Sequence, residues 1–519
     1  MSAGSYGYLP CCDRLGSVSV FDVLKDHIAI HAAYNSMERE SEHASVCQEG
    51  TREAVLGNIS AWSRGDTFYP VCWLEGPAGS GKSTIAHTIA KQCDDDNRLA
   101  FSFFFSRGKH DRSDITKFVP TFAYQLSESL PVIQPSMIRA LTDRRSTTRL
   151  CLRDQIENLI VGPILTTRGS IASMIVVIDG LDECSDETLL QELIQLLVIT
   201  TTRLPFRFLF TSRPESHIQQ TFGSLSTKPK TYFLSLRDFS ADHDIRNYLQ
   251  RHLSQIREQN RELMRNVPHP WPSLRELDVL VDHSEGLFIY VSTLVKFVAD
   301  RKGLPQEKLQ AAMTTHRGVD PLYDQVLSVA REFDYFRRVV GTIVYLREPL
   351  TVPELGQLLQ LQSGCIRLAL RGCQSVFAVP DAEDESIRPY HASLRDFLTD
   401  RNRAKDHFLD PQLYHVRTLV DCLQLIGISG NSAGNGIPLS YACQNWCYHL
   451  SSVLSHHGTI YLIDTCGVDF VMMMKNMERE WLRHWMYGLQ DEQHVRKLSG
   501  DCESVLARKV IPILLEGFF

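Results

Sequence analysis

Val71-Cys72-Trp73-Leu74-Glu75-Gly76-Pro77-Ala78-Gly79-Ser80-Gly81-Lys82-Ser83-Thr84 is the stretch that decides the fold. Four apolar residues run into a glycine-rich octet, Gly76 to Ser83, of the form G-x-x-x-x-G-K-[ST], and the helical stretch Thr84–Gln92 follows. Such an octet arises by chance in about two chains in a hundred of this length. Its position between an apolar strand and a helix makes chance a poorer account still. In that setting successive backbone N–H groups and the helix N-terminus surround a polyphosphate. Lys82 neutralises β and γ oxygens, Ser83 offers a hydroxyl to Mg²⁺, and Thr84 reaches an α-phosphate oxygen. The plainer alternative is a glycine-rich turn with an exposed lysine.

Working outward, further strands are expected at Phe101–Phe105, Met174–Ile178 and Phe206–Phe210, each apolar enough to lie in a sheet covered on both faces. Helical stretches at Ile115–Ser127, Gln155–Ile160 and Thr188–Leu197 separate them, so a parallel α/β sheet is predicted for residues 51–235. A helix from Thr51, with Thr51 as N-cap and Val55, Leu56, Ile59 and Trp62 on one face, leads into it. The strand at Met174 ends in Ile178-Asp179-Gly180-Leu181-Asp182-Glu183, and an apolar strand ending in an acid beside a P-loop aims that acid at a metal. Asp179 is the expected metal ligand with Ser83, its strand placed next to the P-loop strand. Gly180 leaves room beside the phosphates. Glu183 is the candidate to orient or deprotonate the attacking water, with Asp182 as a second candidate. Alternatively, Asp182, Glu183, Asp186 and Glu187 only favour the N-terminus of the next helix. Arg213, in Thr211-Ser212-Arg213-Pro214-Glu215 after the strand Phe206–Phe210, lies where open α/β sheets bind ligands. It is placed to contact a γ-phosphate and report hydrolysis, or else to pair with Glu215 or Asp179.

Elsewhere the pattern is quieter. Residues 1–50 lack sustained periodicity and read as an extension or linker. Residues 236–330 are mostly helical: Asp244–Glu258, Leu274–Asp282, Leu287–Asp300 and Gln306–Thr314. Residues 331–405 combine a helix bearing Val339 and Ile343, a capping box Thr351-x-x-Glu354, a helical stretch near Ile366–Arg371, and short strands at Ser375–Val379 and Ile387–Tyr390. That order predicts a winged helix. Residues 406–519 read as a helical tail, with an amphipathic stretch around Met477, Trp481, His484 and Trp485.

Across 519 residues, 54 basic and 61 acidic side chains give a formal net charge of −7, with no Lys/Arg block, so a grip on nucleic acid or anionic membrane is not expected. No run of about 20 apolar residues long enough to cross a bilayer is seen: the longest stretch without Asp, Glu, Lys or Arg, Cys422 to Ile463, is broken by Asn431, Asn435, Gly436, Gln444, His449 and His456. The fourteen cysteines lack metal-ligand spacing and read as reduced, mostly core thiols. A cytoplasmic protein is the resulting expectation.

Taken together, Gly50-Thr51-Arg52, Trp73 to Thr84, Phe103-Phe104-Phe105-Ser106-Arg107, Val177 to Cys184, Phe210 to Glu215, Glu285-Gly286-Leu287-Phe288-Ile289-Tyr290 and Tyr390 to Leu398 resemble the NACHT-type STAND P-loop NTPases, specifically the fungal NLR-like proteins. The resemblance implies an α/β P-loop NTPase sheet with helices on both faces, then a helical domain, a winged helix and a helical tail. It implies a signalling switch that binds ATP or GTP with Mg²⁺, hydrolyses it slowly to ADP or GDP, and couples nucleotide state to domain opening and self-association. It also implies that His391 reaches the β-phosphate of the closed state and that Arg52 lies near the base. Family members carry an effector domain before the core and repeats after it. Here about 50 residues precede the core, no tryptophan is followed by aspartate, and Gly427–Gly436 replaces the usual run, so neither is expected. The rival readings are a nucleotide-bound scaffold without catalysis and a small-molecule P-loop kinase. The kinase would want an acceptor pocket and a mobile lid rather than packed helices.

Overall fold

The computed structural model describes residues 19–37, 46–107, 109–143, 148, 150–167, 171–300, 303–314, 316–331, 333, 335–429 and 437–455. These fall in two units: one holds the residues up to Pro77 and Lys82–Phe239, the other Ala78–Gly81 and the residues from Ser240 onward.

In the first unit, five runs pair into one sheet: β1 (Val71–Glu75), β2 (Leu99–Phe104), β3 (Met174–Asp179), β4 (Phe206–Ser212) and β5 (Thr231–Ser235). The order is β2-β3-β4-β1-β5 and every pairing is parallel. Alternate side chains serve opposite faces. Val71, Trp73, Phe101, Phe103, Val176, Ile178, Phe208 and Phe210 join one core, and Cys72, Leu74, Phe104, Ile175, Val177 and Leu209 join another. The helices α2 (Glu53–Arg64) and α3 (Lys82–Asp95) cover the second face. The first is covered by α1 (Val20–Leu24), α4 (Phe118–Ser129), α5 (Gln134–Asp143), α6 (Glu187–Thr200) and α7 (Ser216–Gly223). Asp186 caps α6 by accepting the Leu189 N–H at 2.9 Å, which is the work expected of the acidic cluster there. The stretch around Gln155–Ile160 is longer than predicted: Leu152–Ile156, a π-turn at Glu157–Val161, then Gly162–Leu165.

Four expectations change. The Asp179 strand is not beside the P-loop strand, because β4 lies between β1 and β3. The fifth strand, β5, was not predicted. It is an edge strand whose first three residues are only partly covered, so it lacks the continuous apolar run of a central strand. The helix after Gly50 begins at Glu53, with Arg52 rather than Thr51 as N-cap, in a left-handed conformation at φ 58°. Residues 19–37, read as part of an extension or linker, instead pack on the core. Val20, Leu24, Ile28, Ala29 and Ala32 are buried against α4 and its neighbours, and Tyr34 against α3. The Ala29 N–H donates to the Thr121 hydroxyl at 2.8 Å and the Tyr34 N–H to the Ser102 hydroxyl at 3.0 Å, which covers β2 at the sheet's edge.

The second unit is helical. Its helices Asp242–Gln259, Leu274–Ser284, Phe288–Ala299, Pro305–Met313 and Val319–Ala330 share one continuous apolar core with buried residues of the elements between Phe336 and Val453. Within it, helix Phe336–Tyr345 is followed by a bridge between Thr351 and Ser386, helices Val352–Leu359 and Ser363–Ala369, and an antiparallel pair Phe377–Ala378 with Arg388–Pro389. The predicted capping box is present: Thr351 Oγ1 accepts the Glu354 N–H at 3.3 Å and Glu354 Oε2 the Thr351 N–H at 2.7 Å. Helices Pro411–Ser429 and Ile437–Ser455 close the described chain. The amphipathic stretch around Trp481 lies outside the described residues. Among those described, no helix is long and apolar enough to cross a membrane. Nine of their cysteines are free thiols, six of these buried.

Candidate functional site

At its carboxyl end β1 hands the chain to Gly76, whose N–H donates to the Ser212 carbonyl at 3.2 Å, so the loop leaves the sheet still tied to β4. Gly79 and Gly81 take φ of +75° and +94°, which side-chain-bearing residues rarely adopt. In the second unit, Gly79 offers its carbonyl to the Ile289 N–H at 3.1 Å, and a Cβ there would sit 2.1 Å from Ile289 Cγ2. Back in the first unit, Lys82 opens α3 and turns its ammonium onto the Gly76 and Pro77 carbonyls at 2.7 and 2.9 Å. Burial pulls its pKa below the usual lysine value, opposed by the charges of Asp182 and Asp179. A phosphate there would supply the countercharge that two neutral carbonyls do not. Ser83 is exposed and Thr84 half-buried in the first turn of α3, where free N–H groups and the helix dipole favour an anion.

The acids stand at the ends of β3 and just beyond. Asp179, 2% exposed, accepts a hydrogen bond from the Thr211 hydroxyl, whose oxygen in turn accepts the Gly180 N–H at 3.2 Å. Gly180 has φ +72° and a Cβ there would crowd the Phe105 carbonyl at 3.3 Å, so this turn needs glycine. Because β4 separates β1 from β3, Arg213 emerges between the P-loop and the acids. Asp182 holds it twice, taking the Arg213 N–H at 2.9 Å and its Nε at 3.0 Å. Asp182 is thus a partner of Arg213. Glu183 accepts the Arg107 N–H at 3.0 Å, while the Arg107 guanidinium donates to the Asp182 carbonyl at 2.7 Å. Burial, then the charge of Asp182, raises the Glu183 carboxyl to about 7, although the Arg107 N–H bond pulls the other way.

Lys82, Asp179, Asp182, Glu183 and Arg213 thus gather at one end of one sheet, and the donor set suits a nucleotide with Mg²⁺: an ammonium, a hydroxyl and a buried carboxylate for the metal, and a second carboxylate of raised pKa. Arg52 and His391 take no part in these bonds. Arg52 is 6% exposed at the cap of α2. His391, in the second unit, caps helix Ala392–Thr399: its Nδ1 accepts the Ser393 N–H at 3.0 Å. Two residues of the site were not singled out from sequence. Arg107 closes the run Phe103–Arg107, and Thr211 opens Thr211–Glu215. A hydroxyl near the end of a strand beside the acid-bearing strand was the available signal for Thr211, whereas Arg107 lies three residues beyond β2 and meets Glu183 through its backbone N–H.

Residues 50–213 match the family model described as Nephrocystin 3, N-terminal, a span that takes in Arg52, the P-loop, the Asp179–Glu183 turn and Arg213. The vegetative incompatibility protein HET-E-1 of Podospora anserina is 21% identical over 366 residues, 66% of this chain and 25% of that protein. The chain therefore spans about a quarter of the length of this curated relative. Among solved structures, a STAND protein with a tetratricopeptide repeat sensor from Pyrococcus horikoshii is 12% identical, with a TM-score of 0.40 over 89% of this chain and 65% of that one. The Orc1 protein of Aeropyrum pernix in complex with DNA gives 0.31 at 13% identity, over 75% and 95%. Scores this low leave the fold to be read from the sheet itself. Over residues 50–213 the chain is thus similar to that family, and there it carries a P-loop, an acid-bearing strand and an arginine after β4 on one parallel sheet.

Proposed function

We propose that this chain is a nucleotide-dependent signalling switch that binds ATP or GTP with Mg²⁺, hydrolyses it slowly and couples nucleotide state to domain opening and self-association. The observation that carries the reading is the double hold of Asp182 on Arg213 next to the P-loop. The guanidinium is paired with the Asp182 carboxylate, and the terminal phosphate of a triphosphate would compete for it, whereas a diphosphate lacks that group. Arg213 then has two alternative partners, and nucleotide state selects between them.

A ligand shifts an equilibrium only by its differential affinity for the two states. Moving a population from 1:99 to 99:1 takes about 5.5 kcal/mol. A charge-assisted arginine bond supplies about 1.5–3 kcal/mol of that. The remainder must come from other state-dependent contacts, and we assign part of it to His391 on the β-phosphate in the closed form. Ser83 and Asp179 would hold Mg²⁺, which when bound neutralises the phosphate oxygens. Glu183 orients the attacking water and takes its proton. In this reading Asp182 acts by positioning Arg213. We assign residues 331–405 to a winged helix, an assignment supported by the helix, bridge, helix, helix and hairpin order between Phe336 and Pro389. The relative is named for vegetative incompatibility, which supports a part in non-self recognition for this chain too.

The test is nucleotide binding by calorimetry on the full chain. Lys82→Ala should abolish it. His391→Ala should retain binding and move the protein toward oligomers on gel filtration. Undiminished affinity in the lysine variant would remove the site assignment, and an unchanged elution profile would remove the role of His391.

A further inference from the structure

We infer that Glu75 is a positioning residue for Arg213, holding the arginine's loop to the strand that becomes the P-loop; the inference rests on Arg213 being the group that tells triphosphate from diphosphate. Trp73 and Glu75 stand two apart on β1 and so share a face, the one covered by α7. Trp73 donates its indole N–H to the Ser212 hydroxyl at 2.9 Å and stacks on Phe222, with ring centroids 4.5 Å apart and planes 15° from parallel. Glu75 accepts from the Gln219 amide at 3.0 Å. Gln219 and Phe222 are three apart on α7 and present one side of it to β1. The segment between Ser212 and α7 is only Arg213-Pro214-Glu215, tightened by a Glu215 N–H to Arg213 carbonyl bond at 2.9 Å. Both ends of the arginine's loop are therefore tied to the last residues of β1.

A carboxylate is an expensive choice for this place. Glu75 is 7% exposed, immediately precedes the phosphate loop, and bonds a neutral amide rather than a cation. It incurs desolvation and also repels a polyphosphate. An apolar side chain would fill the face without either penalty. What the carboxylate adds is a charge-assisted bond of fixed geometry to α7. With the loop backbone pinned, Arg213 can leave Asp182 for a phosphate by turning its side chain alone. Without the pin, loop motion would dilute that choice.

The experiment measures the affinity of the full chain for a non-hydrolysable ATP analogue and for ADP, with Mg²⁺, in Glu75→Ala, Glu75→Gln, Gln219→Leu and Arg213→Ala, each confirmed folded by thermal melting. Glu75→Ala and Gln219→Leu should weaken the triphosphate analogue about three- to tenfold and leave ADP within about twofold. Glu75→Gln, whose amide oxygen still accepts from Gln219, should recover most of the loss. In an Arg213→Ala background Glu75→Ala should add nothing. Equal weakening of both nucleotides, or a full additional loss on top of Arg213→Ala, would overturn the role of Glu75 and leave the switch standing. An Arg213→Ala variant with unchanged triphosphate affinity would overturn the reading of Arg213 itself, and this inference with it.

Discussion

If Glu183 takes the proton of the attacking water, hydrolysis must follow its ionisation. Its carboxyl is held up at about 7 by burial first and by the Asp182 charge second. The raised value means that the carboxyl is protonated and inactive as a base below pH 7, and ionised above it. Between pH 6 and pH 8 the ionised fraction climbs from about a tenth to about nine tenths, so kcat/KM, which reports groups in the free enzyme, should rise about tenfold. The nucleotide titrates in the same range, so the quantity to compare is the ratio of wild type to Glu183→Gln. That variant should lose about 10²–10⁴ of the rate at pH 8 and have no midpoint near 7. Phosphate release from Mg-ATP under single-turnover conditions, at half-unit pH steps, measures both. Asp182→Asn supplies an internal check: removing the second cause of the shift should move the midpoint below 7. A wild-type to Glu183→Gln ratio that stays flat from pH 6 to 8 would refute the assignment of Glu183 as base.

Thr211→Val keeps the shape of the side chain and removes the hydroxyl that serves both Asp179 and Gly180. It should lower stability in urea unfolding by about 1–3 kcal/mol, with Thr211→Ser close to wild type. In the second unit His449 is fully buried, with Nδ1 2.9 Å from His415 Nδ1 and Nε2 3.0 Å from the Tyr441 hydroxyl. Burial first, then His415 and Arg347, hold it well below the usual histidine value. It is neutral when folded and gains a proton on unfolding below about pH 6.5, so its stabilising share is present above that pH and lost below it, by up to about 1.4 kcal/mol per pH unit. Asp421, raised to about 6, changes stability in the opposite sense, and comparing urea unfolding of wild type with His449→Gln cancels it. The variant's stability should fall less steeply between pH 6.5 and 5.5. Thr351→Ala breaks the capping box and should cost about 1 kcal/mol in the same assay.

The central strands and the P-loop were legible because each is a local pattern: an apolar run, a glycine spacing, an acid ending a strand. The Thr351 box was legible for the same reason, since cap and partner lie three residues apart. What could not be read locally was decided by tertiary packing. The place of β4 between β1 and β3 depends on crossovers, and with it went the prediction that the Asp179 strand adjoins the P-loop strand. That same placement gives Arg213 its partner, since only then does it emerge beside Asp182. Residues 19–37 hold most of their apolar positions in two short runs, Val20–Leu24 and Ile28–Tyr34, each too brief to show a period. Their hydrogen bonds reach Thr121 and Ser102, far along the chain. Arg107 acts through its backbone N–H on Glu183, a role that no side-chain motif encodes.

The central claim is that nucleotide state sets assembly state. Light scattering on the full chain, loaded with ADP and then with a non-hydrolysable ATP analogue and Mg²⁺, tests it most directly. The account predicts a larger particle with the triphosphate analogue than with ADP, and one mass in both for Lys82→Ala. Equal masses in wild type, with both nucleotides shown to be bound, would contradict it.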